Sequence, residues 1–253
     1  MLAKERQHKI YNIIKNDGAV TTSKLVEIFN VSLETVRRDL LYMEQCGQLL
    51  RVHGGAVAKK GMKTFLDLKE RNKEYSKQKQ SLAAKAVEFV SDGDIIAVDS
   101  GSTAISFAEA LRGRFSDLTV ITHSLDVFNI LCYEFNVILC GGRYIQSEKT
   151  FYGSVTLKTL ESLHAQKAFI FPSAVSLEFG ICDFQDDLFM VQKQMMKSSD
   201  KIFILADSSK FEKKALLNID DMNPRYTYIT DSDLPEELVQ LYSENKLNIY
   251  LGK

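Results

Sequence analysis

The sequence of 253 residues has no tryptophan, three prolines and four cysteines. Cys46, Cys132, Cys140 and Cys182 form no C-x-x-C pair. A disulfide framework is therefore not expected, and the thiols read as reduced and mostly buried. His8, His53, His123 and His164 stand far apart in the chain, which leaves no metal-ligand spacing. Neither a metal nor a cofactor is expected. No apolar run approaches the ~20 residues a membrane helix needs. The polar start, Met-Leu-Ala-Lys-Glu-Arg-Gln-His, lacks a signal segment, so a cytoplasmic protein is expected. A fixed-period repeat, a P-loop, a dinucleotide fingerprint and a G-x-S-x-G elbow are also missing.

The formal net charge is only −1, yet it is unevenly spread. Residues 1–60 hold ten Lys and Arg against six Asp and Glu, and the remainder holds 22 against 27. A basic head on an acidic body points to a polyanionic partner for the head.

Three short helical patterns open the chain. Ile10, Ile13 and Ile14 form an apolar face that Asn16-Asp17-Gly18 interrupts. Thr21-Thr22-Ser23 caps a second helix with Leu25, Ile28 and Phe29 inward. After the turn Asn30-Val31-Ser32, Ser32 caps a third helix with Val36, Leu40 and Met43 on its buried side. That leaves Thr35, Arg37 and Arg38 outward, where guanidinium forks reach guanine edges or phosphates. The same pattern also suits a plain three-helix bundle with solvated arginines. Gly47 is suited to a left-handed helix end. Leu50 and Val52 then alternate with Arg51 and His53 ahead of Gly54-Gly55, as in a half-buried wing strand carrying cations. Arg51 and His53 fit a solvated surface pair as well. The predicted DNA-contacting set is Thr22, Ser32, Thr35, Arg37, Arg38, Arg51 and His53.

Residues 58–75 have no sustained period and read as a connection. From Lys77 a helix resumes with Leu82, Ala86 and Phe89 inward. Six apolar strand candidates follow: Asp94–Asp99, Leu118–Thr122, Phe135–Cys140, Lys167–Phe171, Lys201–Ala206 and Tyr226–Thr230. Helical patterns lie between them at Thr103–Leu111, Leu125–Leu131, Val155–Leu163 and Asp187–Lys197. This alternation predicts an α/β body over 76–253 with a mainly parallel sheet, following a head over 1–57.

Ligands of such sheets bind beyond the carboxyl ends of strands. Asp99-Ser100-Gly101-Ser102-Thr103 opens a helix there and suits a phosphate. At a second strand end, Gly141-Gly142 allows close approach and Arg143 adds charge. Ala206-Asp207-Ser208-Ser209-Lys210 offers a lysine, and Thr122-His123-Ser124 is a weaker candidate. Each stretch also reads as an ordinary turn or cap; together they favour a phosphate-bearing ligand.

Ser32-Leu33-Glu34-Thr35-Val36-Arg37-Arg38-Asp39-Leu40, followed by Arg51-Val52-His53-Gly54-Gly55-Ala56, resembles the signature of the DeoR family of bacterial repressors. Arg6 and Ile10 match that family's first helix. In the body, Asp99–Thr103, Thr119–Leu125, Cys140-Gly141-Gly142 and Leu205–Phe211 are similar to its sensor domain. The resemblance implies a winged helix-turn-helix head and a sensor resembling ribose-5-phosphate isomerase. It further implies that a phosphorylated sugar or polyol is held by Ser100, Gly101, Ser102 and Thr103, with Gly141, Gly142 and Lys210 completing the pocket. Asp39 is expected to orient an arginine. Two departures stand out: His123 replaces the family's asparagine, and Phe171-Pro172-Ser173 replaces a glycine-containing stretch. Phe171 and Pro172 are expected to narrow that edge of the pocket.

Three functions are compatible with these residues. The first is a homodimeric or homotetrameric repressor of a carbohydrate operon, released from its DNA operator by the ligand. The second is a regulator whose sensor has lost its ligand. The third is a sugar-phosphate isomerase using acids or bases among Asp99, Asp183, Asp207 and Lys210.

Overall fold

The computed structural model describes residues 3–17, 19–45, 49–52, 54–57 and 68–253. Gly47 and His53 lie outside the described residues. The chain divides into two compact units, Met1–Phe65 and Leu66–Lys253.

The head contains α1 (Ala3–Asp17), β1 (Ala19–Thr21), α2 (Thr22–Phe29), α3 (Leu33–Gln45), β2 (Leu50–Val52) and β3 (Gly55–Val57). Thr21 caps α2, its side chain accepting from Lys24 N at 3.2 Å. Ser32 caps α3, accepting from Thr35 N at 3.2 Å. Ile10, Ile14, Leu25, Phe29, Val36, Leu40 and Met43 close one small core. Two sequence expectations fail. Ile28 is 48% exposed, because Leu25 and Phe29 lie one turn apart and Ile28 falls off their line. Leu50 and Val52 are also exposed; β2 is the outer strand of the β1-β3-β2 sheet, and Leu49 enters the core instead. A Cβ at Gly55 would meet Val20 O at 2.2 Å, so glycine is what lets β1 pair with β3.

A buried ion pair joins the first and third helices. Arg6 Nε donates to Asp39 Oδ2 at 2.6 Å, and Gln7 Nε2 donates to Asp39 Oδ1 at 3.0 Å. The arginine that Asp39 orients therefore comes from α1, and the pair fixes the pitch of α3.

In the body, α4 (Leu68–Arg71), α5 (Ser76–Val87), β4 (Ile95–Val98), α6 (Ser102–Leu111), β5 (Thr119–Thr122), α7 (Leu125–Leu131) and β6 (Asn136–Leu139) come first. A hairpin of β7 (Arg143–Ile145) and β8 (Thr150–Tyr152) leads to α8 (Ser154–Glu161) and β9 (Ala165–Ile170). Then follow β10 (Ala174–Ser176), β11 (Gly180–Asp183), α9 (Asp186–Lys197), β12 (Ser199–Leu205) and β13 (Leu217–Asp220). The last elements are β14 (Thr227–Asp231), α10 (Glu236–Glu244) and β15 (Asn248–Gly252). Seven parallel strands run in the order β15-β14-β12-β9-β4-β5-β6.

Side chains alternate across this sheet. Ile96, Val98, Val120, Phe169, Phe203 and Leu205 pack with α5, α6 and α7. Ala97, Ile121, Ala168, Ile170, Ile202 and Ile204 pack with α8, α9 and α10. The strand order reverses direction between β4 and β9, which creates a crevice at their carboxyl ends. The antiparallel β10-β11-β13 sheet and the β7-β8 hairpin supply further backbone near those ends. Of the connection predicted for 58–75, residues 58–67 lie outside the described residues. Leu68 is 2% exposed and α4 belongs to the body unit.

Replacing Asp39 with Ala strands a buried guanidinium, and the expected cost is about 3–5 kcal/mol. Thermal unfolding of the head should reveal it. The double change Arg6→Met, Asp39→Leu should recover most of the loss; equal destabilisation by both variants would contradict the assignment.

Candidate functional site

The head presents its charged face on α3. Arg37 and Arg38 are exposed, Thr35 is half-buried and Ser32 is exposed. Ser32 Oγ and Thr35 Oγ1 lie 2.8 Å apart, so the cap also holds the threonine hydroxyl. Thr22 fastens the start of α2 to the wing turn: its N and Oγ1 both donate to Gly54 O, at 2.9 and 3.1 Å. Arg51 is exposed on β2, with Glu44 accepting from its backbone N at 2.9 Å. Its guanidinium lies 3.9 Å from the same carboxylate, a loose surface pair worth little.

In the body, Asp99 ends β4 and is fully buried. Its Oδ1 accepts from His123 Nε2 at 3.0 Å, and its Oδ2 from Phe171 N at 3.2 Å and Gln192 Nε2 at 3.0 Å. Gln192 Nε2 also reaches Asp183 Oδ2 at 3.1 Å. Asp183 Oδ1 accepts from Ser173 Oγ at 3.0 Å and Phe184 N at 2.7 Å. Burial pushes the Asp183 carboxyl above its ordinary range.

Gly101, at φ +113°, precedes α6 and offers no side chain to cap it. The first N–H groups of α6 therefore have no side-chain acceptor from that position. Ser100 and Ser102 are each 6% exposed, and Thr103 Oγ1 is buried without a partner among the described residues. One cation borders this turn. A Cβ at Gly101 would sit 4.0 Å from Arg71 Nη1. Arg71 pairs with the buried Glu148, whose carboxyl is pushed up by burial. Lys79 donates to the backbone carbonyls of Arg71 and Glu74. Burial, then the nearby Lys210, lowers Lys79 to about 8. Lys210 donates to Pro172 O at 2.8 Å and is itself lowered, first by burial. Arg71 depresses both lysines.

Several predicted residues are placed differently. His123 is fully buried and holds Asp99 on one side, while its Nδ1 lies 2.8 Å from both Phe151 O and Thr150 Oγ1. Thr122 Oγ1 accepts from Ser124 N, and Ser124 Oγ caps α7; both residues are buried. They build the β5 end and do not face an opening. Gly142 is occupied by the protein itself: a Cβ there would meet Thr156 Oγ1 at 2.3 Å and Tyr152 O at 2.5 Å. Gly141 has open space, and Arg143 is exposed with its guanidinium 5.6 Å from the Tyr152 ring centroid. Phe171 turns into the core, its ring 6.1 Å from that of Phe107 on α6. The expected narrowing by Phe171 is absent because its ring lies beneath the helix.

Arg71, Lys79, Glu148 and Gln192 escaped the sequence reading. Lys79 left a signal, since it shares the buried face of α5 with Leu82, Ala83 and Ala86, and an unpaired-looking lysine on a core face is rare. Arg71 and Glu148 left none, being two charges 77 positions apart, one ending a four-residue helix and one in a turn.

A family profile described as "DeoR C terminal sensor domain" matches residues 74–232, and one described as "DeoR-like helix-turn-helix domain" matches residues 6–61. The chain is 32% identical to the lactose phosphotransferase system repressor of Lactococcus lactis subsp. lactis, over 96% of this chain and 97% of that one. It is 26% identical to the glycerol-3-phosphate regulon repressor of Escherichia coli K12, over 98% of each. Among solved structures it is similar to ribose 5-phosphate isomerase A of Neisseria gonorrhoeae, with 21% identity, a TM-score of 0.42, and coverage of 54% of this chain and 53% of that one. With both parts of its length matched and a full-length relative above 30% identity, the chain belongs to the DeoR family of helix-turn-helix regulators.

Proposed function

We propose that this protein is a cytoplasmic transcriptional repressor of a carbohydrate operon, binding duplex DNA as a homodimer or homotetramer and released by a phosphorylated sugar or polyol. The observation that carries the reading is the grouping of Arg71 with Lys79 and Lys210, with Arg71 beside the Gly101 turn at the sheet's switch point. Cations packed close together repel one another, which a dianion relieves, and the open start of α6 adds N–H donors. The relatives' roles in lactose and glycerol-3-phosphate systems support the same ligand class. Ser100, Gly101, Ser102 and Thr103 would hold the phosphate, with Gly141 and Lys210 at its margin.

Within the head, Arg37 and Arg38 would meet the major groove, with Ser32, Thr35, Thr22 and Arg51 placed for the phosphate backbone. A catalytic role is not proposed. Asp99, Asp183 and Asp207 are at most 3% exposed, and all three carboxylates accept bonds from within the protein. An isomerase needs a carboxylate base in contact with its substrate. The position of Phe171 favours a retained ligand site over a lost one.

Arg37→Ala should lower specific duplex affinity by about 1–3 kcal/mol if the side chain reads a base. Gel-shift titration on fragments selected by the purified protein measures this; unchanged affinity would remove α3 from the interface. For the body, thermal shifts with hexose, pentose and polyol phosphates are the test. A ligand at about 100 times its Kd adds roughly 2.7 kcal/mol, and no shift from any of them would overturn the sensor reading.

Proton linkage supplies another check. Lys79, lowered to about 8, is partly neutral just above that pH, and a bound dianion favours its charged form. Ligand binding at about pH 8.5 should therefore take up protons. Calorimetry in buffers of different ionisation enthalpy should give a positive uptake; zero uptake would separate the ligand from Lys79.

A further inference from the structure

We propose that Arg71 is the residue that reads the ligand's phosphate, and that Glu148 is a built-in competitor which the phosphate displaces from it. This inference rests on the reading of the Gly101 turn as an anion site. Glu148 is 2% exposed, and Arg71 is its cationic partner. The second contact on Glu148, Gln185 Nε2 at 3.4 Å, is long and uncharged. Arg71 thus spans two positions: its terminal nitrogen Nη2 meets a carboxylate of the protein, while Nη1 lies beside the turn. A guanidinium presents several donors in one plane, so it suits an oxyanion on either side. Bringing a dianion to the turn offers Arg71 a stronger partner than Glu148.

The exchange has a structural consequence within the body. The backbone carbonyl of Arg71 accepts from Lys79 on α5, and α4 is the first described element after residues 58–67. A change of partner at Arg71 therefore acts on the segment through which the body continues toward the head in sequence. Glu148, left by Arg71, retains Gln185 and is already pushed toward its neutral form by burial. The competitor sets a threshold: only an anion that outbids a buried carboxylate takes the arginine, which selects phosphate esters over singly charged acids.

Inorganic phosphate titrated into the full chain by calorimetry tests this. Glu148→Gln removes the competing charge with little change of shape, and Arg71→Gln combined with Glu148→Gln removes both members of the pair. Phosphate should bind Glu148→Gln several-fold more tightly than the wild type. It should bind the double variant at least about tenfold more weakly than Glu148→Gln, the size of a lost charge-assisted bond. Circular dichroism of each variant confirms folding. If the wild type and both variants bind phosphate alike, the role of Arg71 is overturned while the turn stands as an anion site. If Glu148→Gln binds more weakly than the wild type, Glu148 positions Arg71 and does not compete. If neither wild type nor Glu148→Gln takes phosphate, the reading of the turn itself falls, and this inference with it.

Discussion

The carboxylate of Asp99 ties together the pieces that form the crevice at the carboxyl ends of β4 and β9. It sits at the end of β4, and its three donors come from the end of β5 (His123), the end of β9 (Phe171 N) and α9 (Gln192). Taking an ion into a dry interior is costly unless several donors surround it. Here that requirement fixes three strand ends and a helix against one another. The neighbouring Ser100-Gly101-Ser102 turn inherits its position from this arrangement. Gln192 extends the network to Asp183, and so to the β10-β11 ribbon. His123 extends it to the β7-β8 hairpin through Phe151 O and Thr150.

Around this anchored core the electrostatics are unsettled in one direction. Burial pushes the acids Asp183 and Glu148 toward neutrality and the bases Lys79 and Lys210 likewise. Each group has partners, yet the lysines also repel each other and Arg71. Binding sites commonly show this combination of perturbed groups in a crevice. The head shows the opposite economy of charge: one buried pair, Arg6 with Asp39, is fully matched, and Arg37 and Arg38 are left to solvent. The first fixes the helix and the second are available to a partner.

The regular elements were largely legible in the sequence. Six of the seven parallel strands stood out as short apolar runs, since most are buried on both faces and carry little else. The seventh, β15, was missed because its Asn248, Tyr250 and Leu251 are exposed, whereas β6 at the other edge kept the apolar run Val137-Ile138-Leu139. The antiparallel additions were also missed, since three-residue strands such as β7 and β10 have no measurable period. The Ser100-Gly101-Ser102 turn was visible because glycine and hydroxyl residues at a strand end have a direct physical meaning. Arg71 and Lys79 were not visible, because they lie in a segment that reads as a connection and on a core-facing helix. His123 also stood out by its type and its place at a strand end, and in the fold its ring is buried and holds Asp99.

The central claim is that an anion at the Gly101 turn governs attachment of the head to DNA. Ser102→Asp places a fixed carboxylate at that turn and tests the claim most directly. Duplex binding by this variant and by the wild type is measured as a phosphorylated sugar that stabilises the wild type is added. The account predicts that the wild type's affinity changes with the sugar and the variant's does not. An equal response at equal concentrations in both proteins would contradict it.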